Sequence, residues 1–303
     1  MTRVAALDCG TNSLRLLVAD VDDGALTDVH RELRVVRLGE GVDRTGVLAP
    51  QALQRVRAAL VDYAATCRSL GVERTRMVAT SATRDARNRS EFTALVREAL
   101  GTEPEVISGE EEAALSFDGA TRGLDAAEGP FLVVDIGGGS TEVVLGTTEV
   151  EAAVSVDLGC VRLTERHLRD DPPSAAQVAA ARHDVDEALE RVRDAVPVDR
   201  ARLLVALAGT ATTVAAHALR LPAYLTERTH LARLDAGTVV AACDDLLAMS
   251  RADRAALPYM HPGRVDVIGA GALVLRGVVQ EAEASQVLVS EADILDGTAR
   301  SLA

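Results

Sequence analysis

The chain has 303 residues, of which 48% are hydrophobic and 26% are charged. This length and composition suit two globular domains and argue against a disordered chain. Aromatic residues make up only 2% of the chain and the formal net charge is −14, which disfavours base stacking on an aromatic platform and nucleic acid as a partner. The sequence contains no Lys, so a Walker A phosphate-binding loop is excluded.

The cysteines and the N-terminus indicate a cytoplasmic protein. The cysteines are far apart in the sequence, at Cys9, Cys67, Cys160 and Cys243, which is typical of reduced thiols rather than of a zinc site or a disulfide framework. An acidic residue, Asp8, directly follows the short apolar run at the N-terminus, so we expect no signal peptide there. No apolar run reaches the length of a membrane span, and we expect no contact with a membrane.

Strand and helix patterns alternate along the first part of the chain. The predicted elements are strands at Val4–Leu7, Leu14–Val18 and Arg34–Leu38, a helix from Pro50 to about Leu70, a strand at Met77–Thr80, a helix at Glu91–Leu100 capped by Ser90, a strand at Val106–Ile107 and a helix opening at Ser108. The stretch Arg122–Pro130 lacks periodicity and is rich in Gly, Asp and Glu. We therefore predict a domain boundary there, between residues 1–125 and 126–303.

The second part of the chain continues the alternation. Its predicted elements are strands at Phe131–Val134 and Val143–Leu145, a helix from about Ser174 to Val196, a strand at Leu203–Leu207, a helix after Ala208–Thr213, helices at Ala236–Met249 and Val267–Gln280, a strand at Gln286–Ser290 and a terminal helix after Gly297. This pattern predicts a layered α/β fold. The terminal helix could pack on either domain, including the first.

A turn motif occurs twice. Asp8-Cys-Gly-Thr-Asn-Ser13 aligns with Asp135-Ile-Gly-Gly-Gly-Ser140, with Asp, Gly and Ser at identical offsets, which indicates an internal repeat. Glycines let a backbone approach an anion closely with its amides inward, and a carboxylate at a strand end can hold a divalent cation. The matched pair favours two phosphate-binding turns over two ordinary hairpin turns. The candidate metal ligands are then Asp8 and Asp135, and the candidate hydroxyl donors are Ser13, Ser140 and Thr141.

Three acidic residues, Glu110, Glu111 and Glu112, open a predicted helix after Ser108. Ser108 and Glu111 have the spacing of a capping box, and acids in a first helical turn suit the helix dipole. A carboxylate beside a bound phosphate could instead act as general base toward water. The local sequence favours the cap, although one cap does not need a third acid.

Two further segments carry candidate phosphate contacts. Arg84 follows a predicted strand end and could bind phosphate oxygens through two N–H groups, but the local sequence favours a solvated side chain. Gly209 and Thr210 lie between a strand and a helix, where helix N-terminal amides bind anions. A tight strand-to-helix connection explains these two residues equally well. The six His residues are dispersed, with no pair at metal-ligand spacing.

Together these residues resemble the exopolyphosphatase/guanosine pentaphosphate phosphatase family, a branch of the superfold shared by actin, sugar kinases and heat-shock-70 ATPases. The matching segments, in family order, are Asp8–Ser13, Ser81–Ala86, Ile107–Ala113, Asp135–Glu142, Asp157–Arg162, Ala208–Thr210 and His261–Gly271. They span nearly the whole chain. The resemblance implies an α/β fold with two actin-like (ribonuclease H-like) lobes around a central cleft.

The resemblance also implies a function, Mg²⁺-dependent hydrolysis of a terminal phosphoanhydride bond in inorganic polyphosphate. It makes Glu112 the base that activates water, and it makes Asp135 and Glu142 residues that hold metal or position water. The phosphate contacts that it implies are Gly10, Asn12, Ser13, Arg84, Gly137, Gly138, Gly139, Ser140 and Thr141. For Glu112 and Arg84 the resemblance reverses the interpretation that the local sequence favours.

Further expectations concern activators, assembly and rival functions. Mn²⁺ and K⁺ are candidate activators besides Mg²⁺, among which the sequence does not choose, and the resemblance suggests a homodimer. The chain lacks the C-terminal helical domains of larger family members, which argues against processive cleavage of very long polyphosphate. Three alternative functions stay open: hydrolysis of guanosine pentaphosphate, the activity of a sugar or acetate kinase, and sensing of polyphosphate or nucleotide without turnover. The helix start with three acids disfavours the kinase.

Overall fold

The computed structural model describes residues 1–303, which divide into two compact units. Unit 1 comprises Met1–Gly119 together with Ile294–Ala303, and unit 2 comprises Ala120–Asp293. The division thus comes after Gly119, before the boundary that the sequence predicts after residue 125. The last helix belongs to unit 1. The Gly-, Asp- and Glu-rich stretch lies at the start of unit 2, where residues 126–128 form one 3₁₀ turn capped by the Asp125 carboxylate.

Unit 1 contains a five-stranded sheet with the strand order β3-β2-β1-β4-β5. The strands are β1 (Thr2–Cys9), β2 (Ser13–Asp22), β3 (Ala25–Val35), β4 (Arg74–Ala79) and β5 (Glu105–Val106). The helices are α1 (Val42–Thr45), α2 (Pro50–Ser69), α3 (Ser81–Asp85), α4 (Arg89–Leu100), α5 (Gly109–Thr121) and α13 (Ile294–Arg300). β1 pairs antiparallel with β2 and parallel with β4, and β4 pairs parallel with β5. The carboxyl ends of β1, β4 and β5 therefore lie at the same edge of the sheet, where α3 and α5 begin.

The central strand β1 contains an uninterrupted apolar run, Val4–Leu7, because both of its faces are covered there. Ala5 and Leu7 belong to the cluster that includes side chains of α2 and α4. Val4 and Ala6, on the other face, pack with Leu295 of α13. The short helix α13 therefore completes the layer on the second face of this sheet.

Unit 2 contains a six-stranded sheet with the order β10-β11-β9-β6-β7-β8. The strands are β6 (Phe131–Ile136), β7 (Thr141–Gly146), β8 (Val150–Val156), β9 (Leu203–Leu207), β10 (Ala232–Asp235) and β11 (Gln286–Val289). The helices are α6 (Cys160–His167), α7 (Ala175–Ala195), α8 (Ala208–Ala218), α9 (Thr226–Thr229), α10 (Ala236–Ala248), α11 (Arg251–Ala256) and α12 (Ile268–Glu281). The main core of the unit joins β6, β7 and β9 to α7, α8, α10 and α12.

The two sheets repeat one arrangement of strands. In unit 1 a hairpin of β1 and β2 continues to β3, and β1 pairs parallel with β4. In unit 2 a hairpin of β6 and β7 continues to β8, and β6 pairs parallel with β9. The internal repeat predicted from the two turn motifs is therefore a repeat of the surrounding sheet as well.

Most predicted elements are confirmed. The strand predicted at Arg34–Leu38 is wrong, since β3 ends at Val35. The outer strands β8 and β10 and the short helix α6 were missed. Ser90 does not cap α4, which begins at Arg89 after Asn88. The Asn88 side chain instead bonds to the backbone of Leu48.

The terminal helix also differs from the prediction. α13 begins at Ile294 and contains Gly297 rather than following it. A Cβ on residue 297 would lie 2.1 Å from the Leu115 carbonyl oxygen, so this glycine allows close packing of α13 against α5. None of the helices combines the length and the apolar character needed to cross a membrane.

Candidate functional site

The first turn of the repeat connects β1 to β2 and closes with one backbone hydrogen bond. The Gly10 amide donates to the Ser13 carbonyl at 3.0 Å. The carbonyls inside the turn accept bonds from the segment that follows β3. Asn12 O accepts from the amides of Val36 and Arg37 at 3.0 and 2.8 Å, and Thr11 O accepts from Gly39 at 2.8 Å.

The second turn, between β6 and β7, has the same closing bond. The Gly137 amide donates to the Ser140 carbonyl at 3.0 Å. Here the carbonyls accept from the start of α6: Gly137 O from the Cys160 amide at 3.0 Å, and Gly138 O from the amides of residues 161 and 162 at 2.9 and 3.1 Å. The Arg162 side chain adds a bond from its Nε to Gly139 O at 2.8 Å.

These contacts fix the direction in which both turns present their amides. In a planar trans peptide the C=O and the N–H point opposite ways. Because the carbonyls face a bracing segment, the amides of the same peptides face away from it. Successive amides that point in one direction form a concave anion-binding site. The backbone geometry thus supports anion binding by the amides of Asn12, Ser13, Gly138, Gly139 and Ser140, whereas the amides of Gly10 and Gly137 are taken up by the closing bonds and these two glycines shape the turns.

The bracing segments are themselves part of the repeat, which the sequence interpretation missed. Val36-Arg-Leu-Gly39 corresponds to Val156-Asp-Leu-Gly159. A Cβ on residue 39 would lie 2.2 Å from the Thr11 Cγ2, and a Cβ on residue 159 would lie 2.4 Å from the Gly138 backbone. Each brace therefore has glycine at the point of closest approach. The shared Val-x-Leu-Gly pattern was the available signal.

The aspartates of the two turns face different cross-strand partners. Asp8 lies opposite Arg15, whose Nε and NH2 both donate to Asp8 Oδ2 at 3.0 and 2.7 Å. Asp135 lies opposite Glu142 at the same offset. Both acids are buried, and the Ser155 hydroxyl donates to Glu142 Oε1 at 2.7 Å. Directly opposed residues of an antiparallel pair project from one face, so unit 2 brings two carboxylates together where unit 1 makes an ion pair.

The Asp135 and Glu142 pair fits a magnesium site that is completed by substrate. The chain contains no group of three or more His, Cys, Asp or Glu residues arranged to hold a metal ion. Mg²⁺ in phosphate-handling proteins is commonly held by one or two carboxylates plus water and substrate oxygens, and two buried carboxylates on one sheet face suit that mode. Asp8 suits a metal site less well, because Arg15 already binds its carboxylate. The metal role expected of all three residues remains a prediction.

The remaining side chains of the two turns are placed differently. Asn12 and Ser13 are partly exposed, whereas Ser140 and Thr141 are buried. The Thr141 hydroxyl donates to the Leu158 carbonyl at 2.6 Å, which ties the second turn to its brace. The phosphate contacts expected of these residues stay predictions, and the Thr141 hydroxyl would have to give up this bond to make one.

Glu112 and Arg84 meet within unit 1. Arg84 lies in α3 after β4, and Glu112 lies in the first turn of α5 after β5. Arg84 NH1 donates to Glu112 Oε2 at 3.1 Å and to the Ile107 carbonyl at 2.9 Å. Both bonds use NH1, which leaves Nε and NH2 of this partly buried guanidinium for a ligand.

The three acids at the start of α5 separate into different roles. The Ser108 hydroxyl accepts from the Glu111 amide at 3.1 Å, so the predicted cap at Ser108 is confirmed. The Glu111 carboxylate binds Arg76 at 2.7 Å. Glu110 and Glu111 are exposed, whereas Glu112 is buried. The cap accounts for the first two acids, and Glu112 alone is placed as a buried carboxylate beside a cation.

The third glycine turn lies between β9 and α8 and is covered by an arginine that the sequence interpretation gave no role. Ala208 has a φ of +61°, and Gly209 and Thr210 start the helix. A Cβ on residue 209 would lie 2.5 Å from the Arg264 guanidinium. Arg264 NH1 donates to the Thr213 hydroxyl at 3.1 Å. This turn therefore combines helix N-terminal amides with a positive side chain, as an anion site requires.

Comparison with known proteins shows which family has this architecture. A family model described as the Ppx/GppA phosphatase family matches residues 17–301. The chain belongs to this family. Exopolyphosphatase 2 of Mycobacterium tuberculosis is 52% identical to it, over 100% of this chain and 99% of that protein.

Solved structures agree with this membership. The crystal structure of an exopolyphosphatase-like protein covers 99% of this chain and 97% of its own, with 41% identity and a TM-score of 0.96. The Ppx/GppA family member of Aquifex aeolicus covers 99% of this chain and 97% of its own, with 30% identity and a TM-score of 0.83. The predicted fold class, α/β with two actin-like units, is confirmed.

Proposed function

We propose that this protein is an exopolyphosphatase that releases terminal orthophosphate from inorganic polyphosphate by Mg²⁺-dependent hydrolysis. The observation that carries the proposal is the bond of 3.1 Å between buried Glu112 and partly buried Arg84, which joins an acceptor for a water proton to donors for phosphate oxygens. It is supported by the full-length similarity to exopolyphosphatase 2 of Mycobacterium tuberculosis.

Glu112 is the general base in this proposal. Its carboxylate orients a water molecule and takes a proton from it as the water oxygen attacks the terminal phosphorus. The bond between that phosphorus and the bridging oxygen breaks, and the electron pair leaves with a chain one phosphate shorter. Arg84 fixes the orientation of Glu112 through NH1, and its Nε and NH2 bind oxygens of the transferring phosphoryl group.

The glycine turns supply the rest of the electrostatic stabilisation. Phosphoryl transfer is catalysed mainly by positioning and by donors directed at equatorial oxygens. The amides of the Gly10 and Gly137 turns are oriented for this by their braces, and Arg264 adds a cation at the Gly209 turn. Asp135 and Glu142 would hold Mg²⁺, which when bound offsets the charge of a polyanionic substrate on a protein of net charge −14.

Guanosine pentaphosphate is the second candidate substrate. A Vibrio cholerae guanosine-5'-triphosphate,3'-diphosphate pyrophosphatase is 40% identical over 55% of this chain, but that match covers 33% of the Vibrio protein. Removal of a terminal phosphate from either substrate uses the same chemistry. The match to exopolyphosphatase 2 extends over both units and favours polyphosphate.

The deciding experiment measures orthophosphate release from inorganic polyphosphate, guanosine pentaphosphate and ATP, each with and without Mg²⁺. We expect release that requires Mg²⁺ and is fastest from polyphosphate. Faster release from guanosine pentaphosphate would replace the proposal with the second candidate. Tight binding of polyphosphate without release from any substrate would show a sensing module instead.

A further inference from the structure

The loop between α11 and α12 in unit 2 is fastened to both ends of α8. At the start of the helix, Arg264 lies against Gly209 and donates to Thr213. At the other end, the Tyr259 hydroxyl lies 2.5 Å from His217 Nδ1. Gly209 and His217 are eight residues apart, roughly 12 Å along a helix. The loop thus runs beside α8 with an aromatic anchor at one end and a guanidinium at the other.

The aromatic anchor is one link in a chain of three polar side chains. His217 Nε2 lies 2.7 Å from Asp245 Oδ2 on α10. The Asp245 carboxylate can only accept, so His217 Nε2 is the donor in this contact. In the neutral imidazole Nδ1 is then the acceptor, and the Tyr259 hydroxyl donates to it.

The hydrogen bonds among Tyr259, His217 and Asp245 are not needed for packing alone. The Tyr259 ring lies in a small apolar cluster with Ala216 and Leu221, and a Phe ring would fill the same space. The hydroxyl adds a directional bond that fixes where the loop starts. Five residues later, Arg264 reaches the Gly209 turn, and its amide bonds back to the His261 carbonyl at 2.9 Å.

We propose that Tyr259, His217 and Asp245 are positioning residues that hold Arg264 at the Gly209 turn. Arg264 uses NH1 for Thr213, which leaves Nε and NH2 to bind a phosphate of the substrate. Without the Tyr259 hydroxyl the loop keeps its apolar packing but loses the bond that sets the position of the guanidinium. This proposal rests on the proposed function, because Arg264 must meet a phosphate for its position to matter.

The test is a double-mutant cycle between Tyr259→Phe and Arg264→Met. The steady-state kcat and KM for Mg²⁺-dependent phosphate release from polyphosphate are measured for the wild type, both single variants and the double variant. We expect Tyr259→Phe to raise KM about three- to tenfold, the worth of one hydrogen bond. In the Arg264→Met background the same change should have no further effect on KM, because the residue it positions is absent.

Two more variants keep the test specific. Tyr63→Phe removes a buried hydroxyl in unit 1, where it donates to the Leu14 carbonyl at 3.1 Å. Whatever its effect, it should be the same factor in both Arg264 backgrounds. Asp245→Ala at the exposed end of the chain should raise KM less than Tyr259→Phe, and also only when Arg264 is present.

The outcomes separate the two proposals. An active wild type in which Tyr259→Phe leaves KM unchanged, or raises it by the same factor with and without Arg264, would overturn the positioning role and leave the proposed function intact. A wild type that releases no phosphate would overturn the proposed function and the positioning role with it.

Discussion

The two glycine turns share a backbone and differ in the charge beside their aspartate. Both close with a Gly amide to Ser carbonyl bond of 3.0 Å. The residue opposite Asp8 is Arg15, whereas the residue opposite Asp135 is Glu142. One substitution in a duplicated hairpin therefore turns an internally neutralised pair into a pair of like charges.

The electrostatic consequence of this difference is large. The Cβ atoms of directly opposed residues lie about 5 Å apart, and two unit charges at that separation would interact by about 3 kcal/mol at an effective dielectric constant of 20. The interaction stabilises the Asp8 side and opposes two charges on the Asp135 side, where a divalent cation would reverse its sign. The two units thus share one turn backbone and differ in the charge that lies opposite its aspartate, which is why the proposed Mg²⁺ site is in unit 2.

The braces differ in a parallel way. The first turn is held by an extended segment, residues 36–39, and the second by the start of the helix α6. The helix adds an arginine, Arg162, to the amides that hold the turn. We therefore expect the second turn to be the more rigid of the two, which suits the metal site proposed there.

The largest expected effect comes from Glu112, the general base of the proposed mechanism. Glu112→Gln keeps the shape and the bond from Arg84 but cannot accept a proton from water. We expect kcat for phosphate release to fall by about 10²- to 10⁴-fold, with Mg²⁺ dependence unchanged. The measurement is steady-state release from polyphosphate over a range of Mg²⁺ concentrations.

Glu111→Gln is the matched control, since Glu111 lies in the same helical turn but binds Arg76 at the surface. Its kcat should stay close to that of the wild type. Comparable losses in both variants would mean that the acidic helix start acts as a whole, and the assignment of the base to Glu112 would be wrong.

The next effect tests the contrast between the aspartates directly. Glu142→Gln should raise the Mg²⁺ concentration for half-maximal activity by at least about tenfold, because one of two metal-binding carboxylates is lost. Asp8→Asn should change this concentration much less, since Asp8 is engaged by Arg15. Equal shifts in the two variants would show two metal-binding turns and would remove the distinction drawn here.

Several of these features were predictable because they repeat or obey a strong local rule. The matched Asp, Gly and Ser offsets located both turns, and helical spacing gave α2 and α7 to within a residue at each end. The opposition of Asp8 to Arg15 was also accessible, because a hairpin that closes between Gly10 and Ser13 fixes which residues face each other.

Other features depend on tertiary structure and have no local signal. Arg264 reaches Gly209 across a long stretch of sequence, and only the packing of α12 and its preceding loop beside α8 brings them together. The outer strand β3 was placed wrongly because its side chains are largely polar and partly exposed, so its periodicity is weak. The burial of Glu112 likewise cannot be read from a run of three identical acids.

A smaller effect distinguishes the braces. Gly159→Ala places a methyl group 2.4 Å from the Gly138 backbone, whereas in Gly39→Ala the obstructing atom is the Thr11 methyl group at 2.2 Å. Both should lower the free energy of unfolding by about 1–3 kcal/mol. Thr11→Ser, which removes that methyl, should restore the stability of Gly39→Ala, and no side-chain change can do so for Gly159→Ala.

Chemical denaturation measures these differences, and Gly123→Ala is the control because nothing lies within 4 Å of a Cβ at that position. If Gly159→Ala is as stable as Gly123→Ala, the close approach of brace to turn does not constrain the second turn. A Gly39→Ala protein that Thr11→Ser fails to rescue would show that backbone, not the Thr11 methyl, limits the first.

The smallest expected effect concerns the cysteines that flank the two turns, Cys9 before Gly10 and Cys160 after Gly159. Burial raises the pKa of Cys160 to about 11 and that of Cys9 well above its usual range. A raised thiol pKa means that the protonated, unreactive form dominates at neutral pH. Iodoacetamide should therefore leave the mass and activity of the native protein unchanged, while the denatured chain takes up four adducts, one for each cysteine.

Prolonged treatment of the native protein compares the two turns. Modification of Cys9 before Cys160 would show that the first turn opens more readily, as its non-helical brace suggests. The reverse order would contradict the view that α6 makes the second turn the more rigid one.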